Sequence, residues 1–208
     1  MMATQAAPTR KRMSPEQRKS LILDHTAAIV AREGVSQLSI ESIGREAGIS
    51  KSLVYAYFPN LTELLRELYQ REMRHLRRRQ IEAAENFETM EQLVRSVTHA
   101  YLSYIDERGL IIERLQGEPS VSNLHDPTDF NRDIAVDHLT DIIMRFYKLP
   151  RHIARAATDI SFGLPASAGS YLLRHDMDIQ TLEDLTVAMI IGTLSDLENR
   201  FGDISKKV

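Results

Sequence analysis

Residues 38–65 read LSIESIGREAGISKSLVYAYFPNLTELL, and this stretch decides the fold. Ser39 and Ser50 suit helix N-caps, because a serine hydroxyl can accept a hydrogen bond from a free amide of the first turn. Gly48 breaks the first helix, and Pro59 stops the second because proline disfavours helical geometry in the residue before it. The stretch therefore predicts two short helices joined by a tight turn that contains glycine, which is the helix-turn-helix arrangement.

The second of these helices has the form of a DNA-reading helix. In a helix-turn-helix, the first helix packs across the second, and the second enters the major groove with its N-terminal residues at the base edges. The predicted second helix is short and carries small side chains at outward positions. Its N-terminus also offers free N–H groups that favour phosphate. The pattern therefore indicates a DNA-binding module.

Helical signals continue on both sides of this motif. Ser14 with Pro15 predicts a helix start with a capping box, and Gly34 ends that helix. No stretch alternates with the period of a strand, so we predict an all-α chain. The remaining predicted segments are a long helix from Asn60 to Glu85, a helix from Thr89, a short helix near Leu110–Leu115, a loop over Gly117–Asp129, a helix over Phe130–Lys148, a helix over Pro150–Arg174 kinked at Pro165, and a last helix capped by Thr181.

The composition excludes several classes of function. The chain has 208 residues and no cysteine, which excludes disulfide scaffolds, thiol nucleophiles and cysteine-based metal sites. Its longest strongly apolar run, Val187–Ile191, is far shorter than the roughly 20 residues that a membrane span needs. The N-terminus has no apolar segment typical of a secretory signal. We therefore expect a cytoplasmic protein with no membrane partner.

Charge is divided unevenly along the chain. Residues 1–80 hold 14 Lys and Arg against 8 Asp and Glu, whereas residues 81–208 hold 12 against 21. A basic N-terminal part before an acidic remainder favours a module that binds a polyanion. Chance clustering, to which Arg77–Arg79 contributes, is the alternative. The basic run at residues 10–12 is expected to be part of a disordered arm that contacts the minor groove or the DNA backbone.

Residues 38–65 closely resemble the DNA-binding signature of the TetR/AcrR transcriptional regulators. The shared features are a first helix ending in Glu-Gly, the Ala-Gly-Ile-Ser turn, the Tyr-x-Tyr-Phe-Pro segment and a leucine-rich fourth helix. The resemblance spans residues 14–70. It implies a helix-turn-helix DNA-binding domain at residues 14–59 and a helical effector-binding and dimerisation domain at residues 60–208. The polar and featureless residues 1–13 are expected to form a disordered basic arm.

The resemblance also implies which residues contact DNA. The first residues of the recognition helix read bases, where Lys51 can donate to guanine and Leu53 can touch only a thymine methyl. Other matching positions contact phosphate through hydroxyl groups, which sets register and affinity rather than sequence choice. Leu61 stands where relatives usually have a lysine, which puts one phosphate contact in doubt. The full predicted set is Ser39, Ser50, Lys51, Ser52, Leu53, Tyr55 and Tyr57.

The C-terminal helices place aromatic and polar residues on faces that are expected to point inward. In the family resembled, such a domain forms a cage for a small, largely apolar effector, which agrees with the mostly apolar walls of ligand pockets. Plain core packing is the alternative for each of these residues. The predicted effector contacts are Tyr101, Tyr104, His138 and Phe162. Small and apolar residues on the last helices predict a four-helix homodimer interface that includes Ala157, Ser161, Ala168, Leu185 and Met189.

We therefore expect a homodimeric regulator of transcription that binds double-stranded operator DNA, needs no cofactor, and acts as a repressor released by a small-molecule effector. An activator without an effector and a protein-binding scaffold stay open as alternatives. A helical metalloenzyme is a third, because Glu72 and His75 form a Glu-x-x-His pair of the kind that di-iron bundles use. Only one such pair occurs, and one is expected by chance, so the sequence gives enzymatic activity little support.

Overall fold

The computed structural model describes residues 13–122 and 129–202. Ten helices, α1 to α10, run through these two stretches and no strand occurs in them, which confirms the all-α prediction for the described residues. The chain divides into two compact units, one ending at Leu64 and the other beginning at Leu65. This division lies inside the fourth helix, a few residues beyond the boundary drawn between residues 59 and 60.

The first unit contains α1 (Pro15–Glu33), α2 (Ile40–Glu46) and α3 (Lys51–Tyr57). A serine precedes each helix, and its hydroxyl accepts a hydrogen bond from a backbone amide three residues later. These distances are 3.2 Å for Ser14, 3.0 Å for Ser39 and 3.2 Å for Ser50. The three predicted helix starts are confirmed, because an N-cap serine satisfies an amide that the helix itself leaves without a partner.

Two glycines shape the turn between α2 and α3. Gly48 has a φ of 64°, a left-handed conformation that side chains with a Cβ rarely adopt. The amide of Ile49 donates to the carbonyl oxygen of Gly44 at 2.9 Å. A Cβ on Gly44 would lie only 2.9 Å from the carbonyl oxygen of Ile49. Backbone contacts therefore fix the turn, and Ile43 and Val54, both fully buried, anchor the two helices in the core of this unit.

The helices that follow are α4 (Leu61–Ala83), α5 (Met90–Gln116), α6 (Pro119–Ser122), α7 (Asp129–Phe146), α8 (Arg151–Ser161), α9 (Gly163–Leu172) and α10 (Ile179–Phe201). In the second unit, α5 packs against α9 and α10, while α7 packs against α8. Its apolar core contains Leu93, Leu102, Ile142, Ala154 and Leu194. In the described stretches, none of the helices is both long and apolar enough to cross a membrane.

The separate short helix predicted near Leu110–Leu115 is wrong. This segment is the last part of α5, which continues through Gly109 without a break. A Cβ at Gly109 would lie 2.9 Å from the side chain of Leu173, so the glycine serves close packing of α9 rather than a helix end. The predicted loop over Gly117–Asp129 also contains the single turn α6.

Two further helix predictions differ from the structure. The helix predicted over Pro150–Arg174 is two helices that meet at Phe162, not one helix kinked at Pro165. Pro165 lies in the first turn of α9, where its missing N–H removes no hydrogen bond within the helix. The last helix begins two residues before Thr181, because the carboxylate of Asp178 accepts a hydrogen bond from the Thr181 amide at 2.9 Å and provides the cap.

Candidate DNA interface and effector cavity

The first turn of α3 faces solvent. Ser50, Lys51 and Ser52 are exposed, and Leu53 is half-buried. One position further, Val54 is fully buried and holds the opposite side of the helix in the core. Because a base-reading side chain must be free to reach a groove, the first turn of α3 has the arrangement that direct readout requires.

The ammonium group of Lys51 donates to a carboxylate oxygen of Glu41 on α2. Their hydrogen bond is the main cause of two pKa shifts, since it lowers the pKa of Glu41 and raises that of Lys51. The same ammonium group lies 5.8 Å from the centre of the Tyr55 ring. Lys51 is therefore charged at neutral pH and is held beside α3 by a contact that a DNA ligand would have to replace.

The hydroxyl-bearing residues of this unit differ in their accessibility. Tyr55 is exposed and Tyr57 is half-buried, both on α3. Ser39 is half-buried, and its hydroxyl is engaged with Ser42 as the cap of α2. Leu61 is half-buried at the start of α4, where it offers no charge to a phosphate. The predicted basic arm at residues 10–12 lies outside the described residues.

Residues 22–68, which run from α1 into α4, match the family model of the bacterial regulatory proteins of the tetR family. This segment is a DNA-binding domain of the TetR family. TetR proteins are DNA-binding regulators of transcription and are not enzymes. The resemblance seen in residues 38–65 is thereby confirmed, and the metalloenzyme alternative is wrong.

Three comparisons show which known proteins the chain is similar to. An uncharacterised helix-turn-helix transcriptional regulator of Haemophilus influenzae is 28% identical over 109 residues, which cover 50% of this chain and 56% of that protein. A transcriptional regulator from Pseudomonas aeruginosa PAO1 has the same fold, with a TM-score of 0.71, 18% identity, and 91% and 96% of the two chains covered. LfrR from Mycobacterium smegmatis, crystallised with proflavine, gives a TM-score of 0.60 at 20% identity over 83% and 94% of the chains.

The geometry of Glu72 explains why the Glu-x-x-His pair is not a metal site. Glu72 is fully buried in α4, and its carboxylate is bonded to Arg108 at 2.8 and 2.9 Å and to the hydroxyl of Tyr104 at 2.8 Å. Arg71 also approaches it at 3.2 Å. His75 is exposed, and its pKa is lowered by partial burial and by neighbouring arginine charges, which together outweigh the opposing charge of Glu72. No group of three potential ligands among His, Cys, Asp and Glu occurs in the described residues.

This cluster is a buried charged network between α4 and α5. Burial raises the pKa of Glu72, but the hydrogen bonds from Arg108 and Tyr104, together with the charges of Arg108 and Arg71, outweigh burial, so the net shift is downward. Burial, and then the nearby Glu72 charge, raise the pKa of Tyr104, which therefore keeps its proton and donates. The network joins the two helices through a carboxylate whose oxygens are both engaged by donors.

The second unit contains a partly open cavity of about 650 Å³, a size typical of small-molecule sites. Helices α4, α5, α7, α8, α9 and α10 supply its walls, which are mainly apolar. Of the four predicted effector contacts, Tyr101 and Phe162 line it. Tyr104 does not, because its hydroxyl faces Glu72, and His138 is exposed on α7 away from the lining. Tyr101 is half-buried, and burial raises its pKa.

The sequence interpretation missed the charged lining residues Arg77, Glu113, Arg132 and Arg174. Charged residues on helices usually belong to solvated faces, and nothing in their spacing distinguished Arg77 from its neighbours Arg78 and Arg79. A helical wheel of α4 would have placed Arg77 on the same side as Met73, which also lines the cavity.

The five predicted interface residues fall into two groups. Leu185 and Met189 on α10 are each 51% exposed and lie one turn apart. Ala157 and Ala168 are buried within the unit, and Ser161 lines the cavity. The sequence interpretation missed Ile160 on α8, which is 78% exposed. The structure therefore leaves an apolar surface on α8 and α10, and it uses the small residues for packing inside the chain.

Proposed function

We propose that the protein is a sequence-specific DNA-binding repressor that works as a homodimer and leaves its operator when a small, largely apolar effector occupies the cavity. The observation that carries the DNA-binding part is the exposed first turn of α3, where Lys51 and Ser52 lie outside the core while Val54 anchors the helix. Such a regulator works in the cytoplasm, where the operator is.

In the proposed complex, the first turn of α3 enters the major groove. Lys51 exchanges Glu41 for guanine O6 or N7, and Leu53 contacts a thymine methyl group. The hydroxyl groups around the turn hold phosphates and set the register of the helix. The side chains assigned to DNA are Ser39, Ser50, Lys51, Ser52, Leu53, Tyr55 and Tyr57.

Dimerisation is part of the proposal because helix-turn-helix proteins bind two half-sites about 34–36 Å apart, and one recognition helix of each copy occupies one half-site. The exposed apolar side chains Ile160, Leu185 and Met189 support an interface formed by α8 and α10 of two copies. A two-fold axis through these helices gives a four-helix interface in which each copy offers the same surface.

Release by an effector needs only a difference in affinity between two conformations. A coupling of ~1–3 kcal/mol changes operator affinity about 5- to 150-fold, and operator DNA then weakens effector binding by the same factor. The cavity supports this part of the proposal, as does the crystal structure of LfrR with proflavine. An activator without an effector is the alternative, and it predicts that cavity ligands leave DNA affinity unchanged.

Fluorescence anisotropy tests the DNA-binding part. The full chain is titrated against duplexes tiled across its own upstream region, at two salt concentrations and with competitor DNA. We expect one tile to bind tightly despite competitor, and we expect Lys51→Ala and Tyr55→Phe to weaken that binding. Arg78→Ala is the matched control, since Arg78 is an exposed side chain whose ion pair with Glu82 lies within α4.

An operator in this region would be contradicted if binding to every tile were lost at the higher salt concentration and if neither α3 substitution changed the affinity. If random genomic fragments selected by the protein also gave no preferred site, sequence-specific binding itself would be wrong.

A further inference from the structure

We propose that the ligand of the cavity is an amphipathic monoanion, an apolar body with one carboxylate, whose head group is bound by Arg77 and Arg174. This inference rests on the proposed effector function and names the chemistry of its ligand. Four charged residues line the cavity, namely Arg77, Glu113, Arg132 and Arg174, and they are not equivalent.

Arg132 is already balanced by another residue of the chain. Its guanidinium donates to the carboxylate of Asp159 at 2.9 Å and lies 5.5 Å from the centre of the Phe162 ring. An ion pair of this kind leaves little net charge for a ligand. The Arg132 end of the cavity is therefore close to neutral.

Arg77 and Arg174 have no carboxylate partner among the described residues. Arg77 is half-buried on α4. Arg174 follows α9, and its Nε donates to the carbonyl oxygen of Ser170 at 2.9 Å, which leaves its two terminal nitrogens available. Glu113 lines the cavity as well but forms no ion pair within the described part of the chain. The three groups together leave one net positive charge.

The packing of the helices places these groups along the part of the cavity that the C-terminal half of α5 lines. Helices α4 and α5 run antiparallel, as shown by the hydrogen bond of 3.3 Å from Gln116 to Tyr69 and the ion pair of 2.9 Å between Arg79 and Glu107. Arg77 and Glu113 lie between these two contacts along the helices. Arg174 joins them because Leu173 packs closely against Gly109 of α5.

A monoanion fits this part of the cavity better than a neutral or cationic molecule. Guanidinium groups bind carboxylates through paired, charge-assisted hydrogen bonds, and the lining supplies two of them, Arg77 and Arg174, with only the Glu113 carboxylate to set against them. A cation would meet a net repulsion. The apolar remainder of a monoanion would lie among side chains such as Leu76, Ile105 and Ile112 of the same cavity, which offer no polar partner.

Isothermal titration calorimetry with three probes that share one alkyl chain tests the head group. The full chain is titrated with decanoate, 1-decanol and decyltrimethylammonium, each below its micelle concentration. We expect decanoate to bind about tenfold or more tightly than the other two. Arg77→Gln and Arg174→Gln should each lower decanoate affinity about tenfold and leave decanol affinity unchanged, because only the charged head group loses a partner.

Two further variants serve as matched tests. Glu113→Gln should strengthen decanoate binding, because it removes the repelling carboxylate in the same part of the cavity. Arg78→Gln removes an equal charge from the neighbouring position, outside the lining, and should leave decanoate affinity within twofold of wild type.

Equal affinity for all three probes, preference for decyltrimethylammonium that is lost in Glu113→Gln, or no binding of any probe would each overturn the proposal. Adding the probes to the operator complex separates this result from the proposed function. Selective decanoate binding without loss of DNA affinity supports the ligand class and contradicts release. Release by all three probes alike supports an effector site and overturns the anionic ligand.

Discussion

Lys51 at the start of α3 forms an ion pair with Glu41 of α2, so the cationic residue proposed to read bases is held by a carboxylate of its own domain. Both side chains are more accessible than most of the unit, at 50% and 59% exposure, so the pair is open to exchange with solvent or DNA. In the proposed complex, DNA binding therefore exchanges the carboxylate partner of Lys51 for a guanine base, and this exchange can be tested by removing Glu41.

Glu41→Gln should strengthen binding to the operator by a few-fold. Lys51 then has no ion pair to break before it contacts DNA, and the DNA phosphates are no longer repelled by the carboxylate of Glu41. Anisotropy titrations of wild type and variant measure the difference. Glu46→Gln on the same helix is the control, since Glu46 pairs with Arg32 and not with α3. An equal gain in both variants would indicate a general charge effect and contradict a specific role of the Lys51 pair.

Leu61→Lys should restore the phosphate contact that the chain lacks at the start of α4. One added contact makes the slope of log affinity against log salt steeper by about one unit and raises affinity evenly across sequences. The measurement is binding to operator and to random duplex over a range of salt. Leu61→Gln is the control for loss of the leucine side chain, and a slope unchanged by the lysine would show that position 61 does not approach the backbone.

Arg108→Met should destabilise the protein by about 3 kcal/mol at pH 7, because it leaves the buried Glu72 carboxylate without its main partner. The paired carboxylate, whose pKa is lowered, stabilises the wild type above the ordinary pKa of about 4.3, and this contribution is lost as pH falls through the lowered value. In the variant, burial of Glu72 dominates and favours the protonated carboxyl group. The loss of stability relative to wild type should therefore be smaller at pH 4 than at pH 7.

Urea denaturation at both pH values measures this deficit. Arg79→Met is the matched control, because Arg79 joins the same two helices through the exposed Glu107, and the change should cost less than about 1 kcal/mol. An Arg108→Met deficit that is the same at pH 4 and pH 7 would mean that lost packing, and not the charge of Glu72, causes it.

Two tyrosines one helical turn apart on α5 should respond in opposite ways to removal of their hydroxyl groups. Tyr104→Phe should cost about 1–2 kcal/mol of stability, since it removes a donor from buried Glu72, and should leave decanoate affinity unchanged. Tyr101→Phe should change decanoate affinity with little effect on stability, because Tyr101 lines the cavity. Thermal denaturation and calorimetry separate the two effects. Altered ligand affinity in Tyr104→Phe alone would restore that residue to the effector site.

Met189→Glu should convert the proposed dimer to monomer and weaken operator binding, because a charge placed in an apolar interface loses its hydration. Sedimentation velocity at several concentrations measures the association state. Gln180→Glu introduces the same charge near the start of α10, on another face, and should leave the dimer intact. A wild-type chain that sediments as a monomer at micromolar concentration would contradict the interface on α8 and α10.

The sequence predicted the DNA-binding unit better than the second unit, for a physical reason. Helix ends at Ser39, Ser50 and Pro59 depend on local capping and proline geometry, which neighbouring residues determine. The break at Phe162 and the continuity of α5 through Gly109 depend on packing between distant segments, which no local pattern encodes. The same holds for Tyr104, because its partner Glu72 is 32 residues away. The local sequence around Arg77 is that of any charged residue on a solvated helix face, and only its place in the cavity lining distinguishes it.

The contact between Gly44 and Ile49 bears on how this recognition unit can evolve. The turn that orients α3 is fixed by main-chain atoms, and it uses neither Ser52 nor Leu53. If Ser52 and Leu53 read bases as proposed, substitutions at these two positions change the preferred base sequence without tilting the helix that presents them. Under that proposal, base preference and helix orientation depend on separate sets of residues, so few mutations are needed for a duplicated gene to acquire a new target.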